Sequence, residues 1–379
     1  MAVTSESKMT ANLLFDFKSG STKDCKPRSD RRARSAAARR GGTTVTSRIF
    51  PTRSLQPIRN KERAIKITLI HNPGAGKGRQ PSRDELLKLL RAAGHKVDYQ
   101  SSKEKKWHKI LKKPGDVVAV AGGDGTVSKV ARRLIGSPTP LAILPLGTAN
   151  NVACTLGISG QTLKELISGW KLARCVHFDA GVAKGPWGSK HFIEGFGLGL
   201  FAETMFQIDS SNEKELAHAD DPEEELNSVL RILKGRLRDF KSNELNVRLD
   251  GEDLSGQYVL LEALNVRFIG PNLNFAPDAD TKDGLLDIIT VPHGKRAELS
   301  RYLAGRINGS ESALGLPRRR GSHLQIEWES SPVHIDDIRW PEDHKAVTVK
   351  SHAITIKVDP GALVFLTPSS KRGRSQRPA

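Results

Sequence analysis

Residues 117–121, Val-Val-Ala-Val-Ala, form an unbroken apolar run that ends abruptly in Gly122-Gly123-Asp124-Gly125-Thr126. A run this short and continuous fits a strand covered on both faces, the situation of a parallel sheet with crossover helices on either side. The residues after it, Val127, Val130, Ala131, Leu134 and Ile135, recur at helical spacing and predict a helix over 127–135. Two similar strands carry small-residue loops of their own. Ile65–Ile70 runs into Asn72-Pro73-Gly74-Ala75-Gly76-Lys77-Gly78, and Leu141–Leu144 into Pro145-Leu146-Gly147-Thr148-Ala149-Asn150-Asn151. Between them Ser82 and Glu85 form a capping-box pair ahead of Leu86, Leu87, Leu89 and Leu90, and Gly94 supplies a stop. Val97–Gln100 reads as a further strand and 103–113 as a short basic helix. Strands alternating with helices in this way predict a parallel α/β domain over 64–172.

Glycines in such turns let main-chain N–H groups approach a phosphate, and the following helix presents its positive end to the same anion. Loops that follow parallel strands share one edge of the sheet, where ligands bind in open α/β folds. Three small-residue loops on one edge therefore point to a nucleotide site. The 72–78 loop lacks the spacing of a Walker loop. Asp124 stands out, since a carboxylate beside phosphates repels them unless it binds a metal or accepts a proton. Thr126 is placed to cap the helix or touch a phosphate.

Beyond about residue 172 the pattern becomes strand-rich, with helical interludes near 224–240 and 295–307. Strand candidates at 175–183, 190–195, 244–250, 257–268, 285–291, 323–328, 333–336, 346–349 and 353–358 predict an antiparallel, sandwich-like second domain over 173–368. Residues 209–225 hold eight acids against one Lys and read as a solvated, mobile insertion. The net charge of +18 is concentrated at the ends: 1–63 carries +10, 371–379 carries +4, and 64–370 only +4. That distribution argues against a basic nucleic-acid-binding fold, whose footprint belongs on the folded unit. Residues 1–63 are poor in apolar periodicity and read as a disordered extension, and 369–379 as a basic tail. Clusters such as Arg31-Arg32-Ala33-Arg34 and Arg39-Arg40 suit anionic phospholipid headgroups. Cys25, Cys154 and Cys175 are scattered and odd in number, which fits a reducing compartment rather than a disulfide framework or zinc site. No apolar run approaches the roughly 18 residues of a spanning helix, and Asp16 and Lys18 break the only signal-like start. The expectation is a cytoplasmic protein with peripheral membrane association.

NPGAGKG (72–78), GGDGTVSKVARRLIG (122–136) and LAILPLGTANNVACTLGI (141–158) resemble the diacylglycerol kinase catalytic-domain family, which includes bacterial lipid kinases, sphingosine kinases and ceramide kinases. The resemblance continues through FIEGFGLGLFAE (192–203), LNVRFIGPNLNFAPDADTKDGLLDII (264–289) and DPGALVFLTP (359–368). It implies a nucleotide domain followed by a β-rich lipid domain, ATP and Mg²⁺ as cofactors, and transfer of the γ-phosphate to a lipid hydroxyl. Carried over by position, Asn72, Ser101, Gly122, Gly123, Asp124, Gly125, Thr126, Val127, Ser128 and Thr148 would contact the nucleotide. Asp280, Asp283 and the carbonyl of Leu285 would hold Mg²⁺, for which oxygen ligands are suited. One departure stands out. The resemblance implies Asp-Gly-Glu with the Glu as general base, but the chain has Asp336-Asp337-Ile338. Asp337 or Asp336 is then the candidate base, with Asp124 ordering metal and nucleotide. Strand alternation would turn Asp336 and Asp337 to opposite faces.

Two other readings compete. A soluble-metabolite kinase of NAD-kinase type shares GGDGT, though LPLGTANN and the DGLLD strand fit the lipid group better. A non-catalytic nucleotide- and lipid-binding regulator is favoured by Ile338. The expected partner is a lipid at a membrane surface, with no nucleic acid. A homodimer is compatible with the sequence without being specified by it. Apolar residues in 192–206 and 268–275 are candidates for an acyl groove or for core.

Overall fold

A computed structural model describes residues 64–75, 80–207, 221–310, 314–329, 331–341 and 352–367. The expected extension 1–63, the tail 369–379, residues 209–220 of the acidic stretch and the strand candidate 346–349 lie outside the described residues.

The amino-terminal half is a parallel sheet. Its strands are β1 (Lys66–His71), β2 (Lys96–Ser101), β3 (Val117–Gly122) and β4 (Leu141–Pro145), in spatial order β4-β3-β1-β2. Every residue of β3 is buried, as its continuous apolar run requires. Helix α1 (Arg83–Ala92) begins at Ser82 with the expected capping box and buries Leu86, Leu87 and Leu90. Helix α2 (Asp124–Leu134) buries Val127, Val130, Ala131 and Leu134. It starts three residues earlier than its apolar spacing indicates, so Asp124, Gly125 and Thr126 are its first turn rather than a loop. The basic segment is a 3-10 helix limited to Trp107–Lys112. Helices α3 (Asn151–Thr155) and α4 (Leu163–Gly169) complete this half.

The second half is strand-rich and antiparallel. It contains β5 (Arg174–Gly185), β6 (Gly188–Phe192), β7 (Gly195–Gly199), β8 (Asn243–Leu249), β9 (Glu252–Asp253), β10 (Gly256–Leu264), β11 (Phe268–Ile269), β12 (Leu273–Asn274), β13 (Leu286–Pro292), β14 (Arg318–Gly321), β15 (His323–Trp328), β16 (Val333–Ile335), β17 (Ile338–Trp340) and β18 (His352–Thr367). Helices α5 (Leu200–Gln207), α6 (Pro222–Asp239) and α7 (Arg296–Ile307) pack on it through Val229, Leu230, Leu233, Leu237, Leu299 and Leu303. Asp221 caps α6 and Glu223–Glu225 lie in its first turn, so the end of the acidic run serves a helix dipole rather than a solvated insertion.

The halves are not separate sheets. β18 returns to lie parallel beside β4, pairing at Phe365 and Leu141, and pairs antiparallel with β5 along most of its length. Phe178, Leu363, Phe365 and Leu366 thereby join the amino-terminal core. The result is one sheet running from β17 to β2.

A row across three strands of the second half holds His334 of β16, Gly197 of β7 and Glu262 of β10. His334 Nε2 lies 2.9 Å from Glu262 Oε2, both side chains are fully buried, and they meet over Gly197. Burial pushes the Glu262 carboxyl up, while the His334 imidazole is pushed up by Glu262 against its own burial. A Cβ at Gly197 would fall 2.1 Å from Glu262 Oε2. Gly197→Ala is therefore expected to split the pair and cost about 2–4 kcal/mol. Urea unfolding of the variant checks this, and an unchanged midpoint would refute it.

Candidate active site

The carboxyl ends of β1 to β4 bring Asn72, Ser101, Gly122–Ser128 and Thr148 to one edge of the parallel sheet. Asn72 organises the first loop: its N–H donates to Ala121 O at 2.8 Å and its Oδ1 accepts from Gly74 N at 3.1 Å. Its Nδ2 donates to Thr126 Oγ1 at 3.2 Å, which binds the loop to α2. Ser101 pairs in register with His71, and its Oγ accepts from Lys103 N at 3.3 Å. Leu146 N donates to Gly122 O at 3.0 Å, tying the third loop to the second.

The head of α2 has no side-chain cap, because the Thr126 hydroxyl expected there faces Asn72 instead. Thr126 N and Val127 N both donate to Gly123 O at 3.0 Å, so the helix head is closed by main chain and leaves its positive end to the sheet edge. Gly122 is required here, since a Cβ would sit 2.8 Å from Thr126 Cβ. Thr148 is 2% exposed, and its hydroxyl has no partner among the described residues. A buried hydroxyl left without a partner is costly unless a ligand completes it. Together these features fit the phosphates of a nucleotide.

The three acids singled out from the sequence have different surroundings. Asp124 is buried and spends its carboxylate on α3, accepting from Asn151 N at 2.9 Å and Val152 N at 3.2 Å. Asp336 and Asp337 do not alternate along a strand. They form the two-residue turn between β16 and β17, with Asp336 at φ 50°, and both face Arg132 of α2. Asp336 accepts from the amides of Ile193, Glu194 and Gly195 and from Arg132 Nη1 at 2.9 Å. Burial pushes its carboxyl up even so, against the pull of Arg132. Asp337 is held by side chains, Arg132 Nη2 at 2.8 Å and Lys129 Nζ at 3.4 Å. Arg132 itself is kept charged by the two aspartates despite its burial. Ile338, standing where the resemblance implies Glu, is a half-buried residue opening β17.

Asp280, Asp283 and Leu285 gather away from these acids, on the loop entering β13. That loop is anchored by Asp179, whose carboxylate accepts from Gly284 N at 2.8 Å and Gly361 N at 2.7 Å. Asp283 accepts from Leu285 N at 3.0 Å and pairs with the Arg320 guanidinium. No cluster of three or more His, Cys, Asp or Glu residues suited to a metal occurs among the described residues. A divalent ion held by Asp280, Asp283 and the Leu285 carbonyl would have to share Asp283 with this guanidinium.

Several residues at the site were not singled out from the sequence: Lys129 and Arg132, Asn151, Asp179, and Glu194, which is fully buried beside Ser128 and Asn151. A lone acid inside the apolar segment FIEGFGLGLF was the available signal for Glu194. Phe192, Phe201 and Phe275 are buried in core clusters, with Phe201 stacked on Phe275. They do not line an open groove. Because Arg132 neutralises two buried aspartates, Arg132→Met should cost about 3–5 kcal/mol. Calorimetric melting checks this, and a shift below that expected for about 1 kcal/mol would sink the assignment of Arg132 as the central clamp.

Comparison with known proteins places the fold and the sequence together. Residues 66–182 match the diacylglycerol kinase catalytic domain, and 208–366 match the YegS C-terminal NAD kinase beta sandwich-like domain. The diacylglycerol kinase of Mycobacterium tuberculosis (strain H37Rv) is 28% identical over 234 residues, 58% of this chain and 70% of that protein. The diacylglycerol kinase of Bacillus subtilis (strain 168) is 26% identical over 202 residues, 51% and 61% of the two chains. A Klebsiella pneumoniae (strain 342) protein named "Probable lipid kinase YegS-like" is 29% identical over 227 residues, 56% and 70%. A crystal structure of a diacylglycerol kinase from Bacillus anthracis has the same fold, with TM-score 0.61 and 23% identity over 81% of this chain and 98% of that one. With both stretches matched, the chain joins a diacylglycerol kinase catalytic domain to a YegS-type C-terminal sandwich domain, as its relatives named diacylglycerol kinase and YegS-like lipid kinase lead one to expect.

Proposed function

We propose that this chain transfers the γ-phosphate of ATP to the hydroxyl of a lipid of diacylglycerol or sphingoid type. The observation that carries the nucleotide half of this reading is the unpartnered, buried Thr148 hydroxyl beside the uncapped head of α2. The lipid half is supported by the relatives named diacylglycerol kinase and lipid kinase. Magnesium would enter with the nucleotide, as part of the substrate. In-line phosphoryl transfer depends chiefly on positioning and charge stabilisation, which main-chain amides at a helix head supply.

Among the three acids, Asp337 is the one suited to accept the hydroxyl proton. Asp124 and Asp336 are held by main-chain amides of segments they anchor. Asp337 keeps one oxygen on Arg132, and its other oxygen, Oδ2, is freed by moving one side chain, Lys129, which is 43% exposed. Lipid is delivered at a membrane surface, and among the described residues no helix is long and apolar enough to cross one. The +10 charge of residues 1–63 then serves anionic headgroups. Vesicle binding that weakens with salt and on deleting 1–63 supports this, and salt-insensitive binding refutes it.

The direct test is phosphate transfer from labelled ATP to a panel of lipid micelles, with NAD and sugars as soluble acceptors. Lipid phosphorylation is expected, and phosphorylation of a soluble acceptor alone overturns the reading. Thr148→Ala should weaken ATP binding about 5–10-fold without loss of stability, because the hydroxyl it removes is unpaired in the free protein. Asp337→Asn should lower kcat about 100-fold with little change in ATP affinity, whereas Asp336→Asn should chiefly lower the melting temperature. Ile338 favours a second reading, a nucleotide- and lipid-binding protein without turnover. Intact binding with no transfer to any acceptor would establish it.

A further inference from the structure

Four carboxyl groups, those of Asp124, Glu194, Asp336 and Asp337, are buried where the two halves meet. Their donors are unequal. Asp124 has two main-chain amides, Asp336 has three and a guanidinium, and Asp337 has a guanidinium and an ammonium. Among the described residues the Glu194 carboxyl has neither a main-chain amide nor a cation. Its neighbours are neutral and distant: Ser128 Oγ lies 3.4 Å from Oε1, and Asn151 Nδ2 lies 3.3 Å from Oε2. The same Asn151 amide also donates to Gly270 O at 3.1 Å, so its donor is shared. Its oxygen, Asn151 Oδ1, is buried with no donor among the described residues. The cluster thus lacks a donor, and an ionised Glu194 would lack a counter-charge. One proton on Glu194 answers the second need, and lets Oε1 donate to the Ser128 hydroxyl while Oε2 accepts from Asn151 Nδ2.

We propose that Glu194 is a positioning residue that works as a neutral acid, its carboxyl group joining Ser128 of α2 to Asn151 at the head of α3 and so fixing the loops that receive the nucleotide. The inference rests on the nucleotide reading above. Ser128 follows the Gly122–Thr126 turn, and Asn151 follows Thr148, so the acid lies behind both sides of the candidate phosphate site. Its main chain takes part as well: Glu194 N donates to Asp336 Oδ1 at 2.8 Å, and Glu194 O accepts from Asn265 N at 2.9 Å.

The surroundings favour the neutral form. From α2 comes the charge of Asp124, from the β16–β17 turn those of Asp336 and Asp337, while the cations there, Arg132 and Lys129, are committed to the turn. Asn151 and Gly270 contribute neutral groups. Burial first, then the charges of Asp124 and Asp336, push Glu194 well above the usual carboxylate range. Removing its proton places a charge among neutral donors and like charges, which loosens the join between Ser128 and Asn151. Nucleotide affinity should therefore fall on the alkaline side.

The test is calorimetric binding of a non-hydrolysable ATP analogue to the full chain, from about pH 6 to about pH 9, in wild type, Glu194→Gln and Glu194→Asp. Wild type is expected to lose about tenfold or more in affinity toward alkaline pH. Glu194→Gln, which keeps the shape and the neutral state, should bind with an affinity that stays level. Glu194→Asp, still ionisable, should keep the pH dependence. Equal pH dependence in wild type and Glu194→Gln overturns the proposal. An unfolded Glu194→Gln overturns it too, because an amide supplies the neutral state that the proposal requires.

Should no form bind the analogue at any pH, the nucleotide reading fails, and melting temperatures still decide the state of Glu194. A carboxyl raised by folding contributes stability at acid pH that is lost as pH rises through its folded value. Across that window the Glu194→Gln melting temperature should gain on wild type by roughly 3 °C per pH unit. A gap independent of pH overturns the neutral-acid assignment.

Discussion

The Arg132 guanidinium is the interaction on which the arrangement of the molecule depends. It leaves the same helix whose head forms the glycine-rich turn and reaches two adjacent carboxylates 204 and 205 residues further along the chain. Two of its nitrogens meet two different carboxylates, at 2.9 and 2.8 Å, a geometry that fixes orientation as well as distance. Each partner alone would be a buried charge costing several kcal/mol, so neither half can leave the other without exposing or stranding one. The glycine-rich turn is thereby held against the β-rich half.

The sheet reinforces this clamp. β18 joins the parallel sheet through Phe365 and runs antiparallel along β5, so the last described strand of the chain belongs to both halves. Phe178 and Phe365 pack at 4.6 Å in the amino-terminal core, although both lie in the stretch 173–368 that the sequence assigns to the second domain. A boundary near residue 172 therefore separates two patterns in the sequence without separating two bodies. The loops at the sheet edge and the turn at Asp336 are thereby carried by one continuous sheet.

The parts of the fold that were legible in the sequence are those set by short-range physics. The apolar run of β3, the Ser82–Glu85 capping box, the glycine-rich turn and the helices near 224–240 and 295–307 each declare themselves within a dozen residues. The same is true of the edge that collects Asn72, Ser101, Gly122 and Thr148, because parallel strands fix where their loops emerge. What stayed hidden depends on partners far away in sequence. Asp336 and Asp337 read as a strand end because only the pairing of Ile335 with Ile338 reveals a turn between them. Arg132 and Lys129 read as ordinary solvated positions of a basic helix. Asp124 reads as a phosphate-side acid, since nothing local shows that it will satisfy the amides of Asn151 and Val152. Glu262 and His334 each break an apolar strand, and neither predicts that a glycine between them will let them meet.

One physical need connects these hidden contacts. Glycine-rich turns and short helices leave main-chain amides that no ladder or helix satisfies, and buried amides must find acceptors. The chain answers repeatedly with an aspartate from a distant segment. Asp124 takes Asn151 and Val152, Asp179 takes Gly284 and Gly361, Asp250 takes Ser322 and His323, and Asp336 takes three consecutive amides from Ile193 to Gly195. Each aspartate fixes a turn by its main chain and leaves the turn's side chains uncommitted. That division explains why Ile338 can stand beside the Asp336 turn without disturbing it. The framework of the cleft is encoded in carboxylate-to-amide contacts. The residues that face the substrates are then free to differ from those the resemblance implies, while the cleft itself persists.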